Sequence, residues 1–212
     1  MGPKDTFNNP GQDEALVTAV KARDILAIMD ACGKGANPNV QDPATGRNLL
    51  FTVMDQLDSG DGQKMEGSLW AHFLALTQRG ASGGLADKDG LTPLHYAFDK
   101  KMYMFVAVLL LRETGLANAP DPRNGDTPLH RALPLFLSRA GDLDTAPFDL
   151  LVAQGGDPRI PNAAGVTVMA MAQAAAGERA ATALEKLLGT PAMRQQALRD
   201  KARQRPLKLK TR

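Results

Sequence analysis

The order of apolar and polar residues divides this chain into short amphipathic helices separated by glycine-rich turns. From Asp13 to Cys32, the residues Leu16, Ala19, Val20, Ile25, Ile28 and Met29 recur at helical spacing, with a break near Arg23-Asp24 that predicts two helices rather than one. Downstream, a three-residue step returns in Leu50 and Val53, Leu94 and Ala97, Leu129 and Ala132, and Met169 and Ala172. Residues three apart share one helix face, so each pair predicts a buried stripe. Val166 to Leu188 predicts a last helix pair.

Two of these stripes lie inside one repeated phrase. Gly90-Leu-Thr-Pro-Leu-His-Tyr-Ala97 returns 35 residues later as Gly125-Asp-Thr-Pro-Leu-His-Arg-Ala132. Pro93 and Pro128 suit a first helical position, where the missing N–H has no intrahelical partner to lose. Thr92 and Thr127, just before them, can cap free N–H groups of the first turn. Weaker copies keep the frame: Gly46 to Val53 retains the cap-capable Asn48, and Gly165 to Ala172 retains Thr167. Both lack the proline and the histidine.

A second marker tests the register. Gly35-Ala-Asn-Pro38, Gly80-Ala-Ser82, Gly115-Leu-Ala-Asn118 and Gly155-Gly-Asp-Pro158 have the residues of a helix end, with glycine supplying a left-handed stop. They are spaced 45, 35 and 40, and the opening glycines Gly46, Gly90, Gly125 and Gly165 are spaced 44, 35 and 40. The two series drift together. Connections between them are therefore nearly constant, and the irregular length lies between helices of one pair.

The phrase and the glycine series resemble the ankyrin repeat family. That resemblance implies an all-α solenoid of about five helix-turn-helix units, each preceded by a β-hairpin finger, with end units acting as caps. Units are expected at about 12–40, 41–84, 85–119, 120–160 and 161–190, after a flexible arm at 1–11 and before a basic helix or tail at 191–212. Against a family unit of about 33 residues, units two and four have enlarged inter-helix loops at 57–67 and 138–145. Tolerated loop growth is the plain reading of both, and a second contact edge is the functional one. Within the first, Asp58-Ser-Gly-Asp61-Gly lacks the downstream glutamate of a calcium loop. In unit four, Pro134, Leu135 and Phe136 stand where an inner helix of the family turns polar. They predict a kink at Pro134 and either self-packing under the loop or an apolar patch.

Composition narrows the function. Of 212 residues, 43% are apolar and 23% charged, enough for one repeat domain. The lone Cys32 excludes an intrachain disulfide and reads as a small buried residue. No run approaches about 18 apolar residues, and the N-terminus lacks a signal-peptide pattern, so a soluble cytoplasmic protein is expected, with non-classical secretion left open. From Arg194 to Arg212 there are eight Lys or Arg and one Asp, a net +7 against +2 for the chain, which leaves the rest at −5.

No catalytic constellation, cofactor motif or metal-ligand spacing emerges. His95 and His130 read as structural groups tying a threonine to nearby backbone. His72, beside Trp70 and Phe73, is the one candidate acid or base and has no ligand or nucleophile at a motif spacing.

The function expected is a non-enzymatic protein-binding module, an adaptor, inhibitor or neutraliser of an unidentified protein, itself monomeric. Carried over from the resemblance, the partner-binding positions are Arg47 in the first finger, Lys88, Asp89 and Leu91 in the second, and Arg123, Asn124 and Asp126 in the third. On the inner helices they are Asp55, Tyr96, Asp99, Lys100, Arg131 and Leu135. Tyr and Arg are enriched in binding hot spots. The alternative is an accessory protein touching nucleic acid or anionic membrane through its basic tail, weakly and with strong salt dependence.

Overall fold

The computed structural model describes residues 9–58, 67–113, 115–137 and 146–188. They form an all-α fold of α1 (Pro10–Lys21), α2 (Ile25–Gly33), α3 (Leu49–Asp58), α4 (Gly67–Gln78), α5 (Pro93–Asp99), α6 (Tyr103–Arg112), α7 (Pro128–Leu137), α8 (Ala146–Ala153) and α9 (Val168–Leu188). The first helix begins inside the expected N-terminal arm, with Pro10 at its start. Within α9, Gly177 adopts a non-helical φ of 69° and breaks the span in two, as a last helix pair requires. None of the described helices is long and apolar enough to cross a membrane.

Consecutive helices pack as pairs, α1 on α2 through α7 on α8. Like members also touch, in one row running α1, α3, α5, α7, α9 and another running α2, α4, α6, α8. The stripes explain this. Leu50, Val53, Leu94, Ala97, Leu129, Ala132 and Ala172 are fully buried between pairs. Phe73 and Phe105, 4.2 Å between ring centroids, join α4 to α6 with Trp70 at their edge. Three stripe residues depart from expectation at the two ends, Met29 exposed and Ile25 and Met169 half-buried. Each belongs to a terminal pair, which has a neighbour on one side only.

Both glycine series adopt the left-handed conformation: Gly35, Gly80, Gly115 and Gly155 have φ of 89° to 96°, and Gly46, Gly90, Gly125 and Gly165 have φ of 73° to 80°. At three of the helix ends the residue after glycine donates back five residues, Ala36 to Ala31, Ala81 to Leu76 and Gly156 to Leu151, closing a Schellman turn. The fourth, Gly115, leads into a 3-10 turn at Leu116–Asn118.

The expected β-hairpin strands are not found among the described residues, where the one bridge is an isolated antiparallel pair, Gln41 with Asn48. The physical reason is an aspartate or asparagine at the base of each connection. Asp42 accepts from the N–H of Ala44 and Thr45, Asp87 from Asp89 and Leu91, Asp121 from Arg123, and Asn162 from Ala164 and Val166. These side-chain bonds take up the amides that a ladder would need. Four compact turns result, one before each of α3, α5, α7 and α9.

Helix α7 runs through Pro134 to Leu137, so the chain is prolonged rather than stopped at the proline, which is exposed. The side chains of Leu135 and Phe136, most of the 57–67 and 138–145 insertions, and the 191–212 tail lie outside the described residues.

Candidate partner-binding strip

The strip begins with helix capping. Thr92 accepts from the N–H of His95, and its hydroxyl meets His95 Nδ1 at 2.6 Å; Thr127 and His130 repeat the pair at 2.9 Å. The other ring nitrogen of His130 donates to Val166 O in the next turn, 3.0 Å away, so this histidine ties its threonine to neighbouring backbone as the sequence predicts. His95 Nε2 has no such partner. Burial holds the His95 imidazole below its ordinary range, against the pull of the Asp121 carboxylate, so His95 serves as a neutral structural group.

Neighbouring turns are bonded to one another. The Lys88 amide donates to Thr45 O at 2.9 Å, and the Ala163 amide donates to Asn124 O at 3.0 Å. Lower down, Asn39 donates to Gly80 O and accepts from Ser82 N, while Asn118 donates to Gly155 O and accepts from Asp157 N. These ties fix the spacing of the turns and thereby of the side chains at their tips.

Beneath the tips lies a network that takes in most of the expected residues. Arg47 Nε donates to the buried Asp87 at 3.2 Å, its Nη1 lies 3.5 Å from Asp55, and its guanidinium stands 5.0 Å from the Phe51 ring and 5.4 Å from that of Tyr96. The Tyr96 hydroxyl bonds Asp55, and Lys100 Nζ sits 5.7 Å over the same ring. One pair along, Arg131 bridges Asp99 at 2.8 Å to the fully buried Asp121, which also takes a bidentate contact from Arg123. Asp126 pairs with Asn124 and Asn162. Burial pushes the Asp121 carboxyl up, but hydrogen bonds from the Arg123 side chain and backbone, with the positive charge beside it, outweigh that and hold it far below the usual carboxylate range. Asp42 is also lowered, by the backbone N–H groups of Thr45 and Ala44.

Two placements differ from the surface strip anticipated. Leu91 and Tyr96 are buried, at 8% and 9% exposure, because Leu91 closes its turn through Asp87 and Tyr96 packs on Phe51. The exposed set is Lys88, Asp89, Asp99, Lys100, Arg123 and Asn124, with Arg47, Asp55, Asp126 and Arg131 half-buried behind them. Asp87, Asp121 and Phe51 are central to the network and were not singled out from the sequence. The signal for the acids is present, since Asp42, Asp87, Asp121 and Asn162 each stand three or four residues before an opening glycine.

The arrangement offers fixed charges of both signs and no nucleophile placed against a base. No group of three or more His, Cys, Asp or Glu among the described residues could hold a metal ion. A groove of about 490 Å³ between α1 and α2, lined by Gly11, Glu14, Ala15, Thr18 and Ala27 among others, takes in none of the strip. Comparison with protein-family models and with curated protein sequences finds no match to this chain.

Proposed function

We propose that this chain is an ankyrin-like solenoid that binds another protein through its turn tips and the adjoining faces of α3, α5 and α7. The observation that carries the reading is the set of four Asx-anchored turns, successive ones tied by the Lys88–Thr45 and Ala163–Asn124 bonds. A surface ordered before binding loses little conformational entropy on association, which favours affinity. Alternating Lys88, Asp89, Lys100, Arg123, Asn124 and Asp126 suits a polar protein face with its own mixed charges better than a phosphate backbone. On this reading the protein is a non-enzymatic cytoplasmic adaptor or inhibitor, monomeric by itself. Its site residues act by complementarity.

The test is affinity capture from the source cell with wild type, a Lys88→Glu, Asp89→Lys, Lys100→Glu variant, and a chain cut at Gly189. A protein held by wild type and by the cut chain, but lost by the triple variant, supports the reading. The second reading rests on the +7 tail, which suits nucleic acid or anionic lipid. It predicts the reverse, with capture lost on truncation and indifferent to the triple variant.

A further inference from the structure

His72 lies on α4 with 1% of its surface exposed, and among the described residues neither ring nitrogen has a well-aligned hydrogen-bond partner. A neutral imidazole carries one N–H whichever tautomer it adopts, and the Arg23 backbone carbonyl is the acceptor within its reach; a protonated ring would bury a second donor and a charge. The groups facing it come from the α1–α2 turn. Beyond burial, the Arg23 guanidinium opposes a second positive charge most, while the Arg23 carbonyl and the Asp24 carboxylate favour it more weakly. Asp24 is already occupied, capping α2 through the N–H groups of Leu26 and Ala27.

Among the described side chains, the other elements packed on α4 offer no free counter-charge. Asp30 of α2 pairs with Lys34, Asp55 of α3 faces Arg47 and Tyr96, and Glu113, just past α6, is held by Ser82 and Gly83 while Arg112 is exposed at the helix end. The turn itself is under strain, since Arg23 is a non-glycine residue at φ 59°.

We propose that His72 is a pH-sensitive latch for the first helix pair, and that its protonation opens the contact of α2 and the α1–α2 turn with α4. A charged His72 needs a second acceptor beyond the Arg23 carbonyl, and opening the α2–α4 contact supplies one from solvent. The sign follows from burial: the folded ring is held below its ordinary value of 6.5, so the closed form binds fewer protons than the open one. Closure is complete above about pH 6.5, and the opening equilibrium rises by up to about tenfold for each pH unit below that, until the folded ring itself titrates. The device would release apolar surface of α2 and α4 in a mildly acidic compartment.

Cys32 provides the readout. It is the only cysteine, it is buried on α2 near the end of α4, and Arg79 of that end acts on its thiol. The experiment measures labelling of Cys32 in the full chain by 4,4′-dithiodipyridine, relative to a free thiol at each pH. Wild type should accelerate by up to about fivefold from pH 6.5 to 5.5, and His72→Phe should remove most of that acceleration while leaving labelling at pH 7.5 no faster. Equal acceleration in both proteins, or none in wild type, overturns the latch. His95 is retained in the variant, so its own titration cancels in the comparison. Should His72→Phe fail to fold, an NMR titration of wild-type His72 decides. A midpoint below 6.5, followed by the amides of α1 and α2, supports the proposal; an ordinary midpoint, or amides that do not follow, overturns it.

Discussion

Replacing Gly125 with alanine should damage this protein more than the same change at Gly165, although both glycines occupy equivalent turns with nearly equal φ, 73° and 76°. Any L-residue in that conformation loses roughly 1–2 kcal/mol, and at Gly165, where a new Cβ meets nothing within 4 Å, this is the whole effect. At Gly125 the Cβ would stand 2.5 Å from the backbone nitrogen of Ala163. Backbone cannot rotate away as a side chain can, so the two turns must separate by about 1 Å to reach ordinary contact. That breaks the 3.0 Å bond from Ala163 to Asn124 O, at a further cost of about 1 kcal/mol, with local repacking added. The expected losses are about 1.5 kcal/mol for Gly165→Ala and about 3 kcal/mol for Gly125→Ala. Urea titrations followed by far-UV circular dichroism measure both at unchanged m. Equal losses would refute the claim that neighbouring turns are held in contact, and a smaller loss at Gly125 would refute it more strongly.

Asp121→Ala should lower stability by about 2 kcal/mol in the same titrations, less than the 3–5 typical of a broken buried pair because Arg123 and Arg131 keep part of their hydration. Since the folded Asp121 carboxyl is depressed, its contribution is fully present above the unfolded value near 4 and is lost only as pH falls below that, so acid titration of wild type and variant should converge there. Lys101, exposed at φ 58° in the α5–α6 turn, is strained, and glycine there would keep its amide bond to Phe98 O, so Lys101→Gly should raise the melting midpoint, by about 1 kcal/mol in stability.

Local chemistry was the part most open to reading in advance. The two glycine series needed only chain geometry, because each marks a place where φ must be positive, and all eight adopt it. The caps Asn48, Thr92, Thr127 and Thr167 announced themselves by position before an apolar step, and each bonds an early group of its helix or the paired histidine. Strands were expected from the family resemblance rather than from the residues, and the residues argued otherwise: an Asp or Asn in each turn competes for the amides a ladder requires.

Contacts between pairs were less legible, since no spacing rule says that Arg47 reaches Asp87 across 40 positions or that Tyr96 turns inward to Asp55. Those depend on how far one helix pair is set from the next. His72 is the sharpest case. Its neighbours Trp70 and Phe73 signalled an apolar setting, while its burial against the α1–α2 turn could be known only once the helix pairs had packed.

The most direct test of the binding strip is amide hydrogen exchange on the full chain with and without the protein it captures. The account predicts new protection at 42–47, 87–91 and 121–126 and along the first turns of α3, α5 and α7, with α2, α4 and α6 unchanged. Protection confined to the second row of helices, or to the basic C-terminal segment, would contradict it.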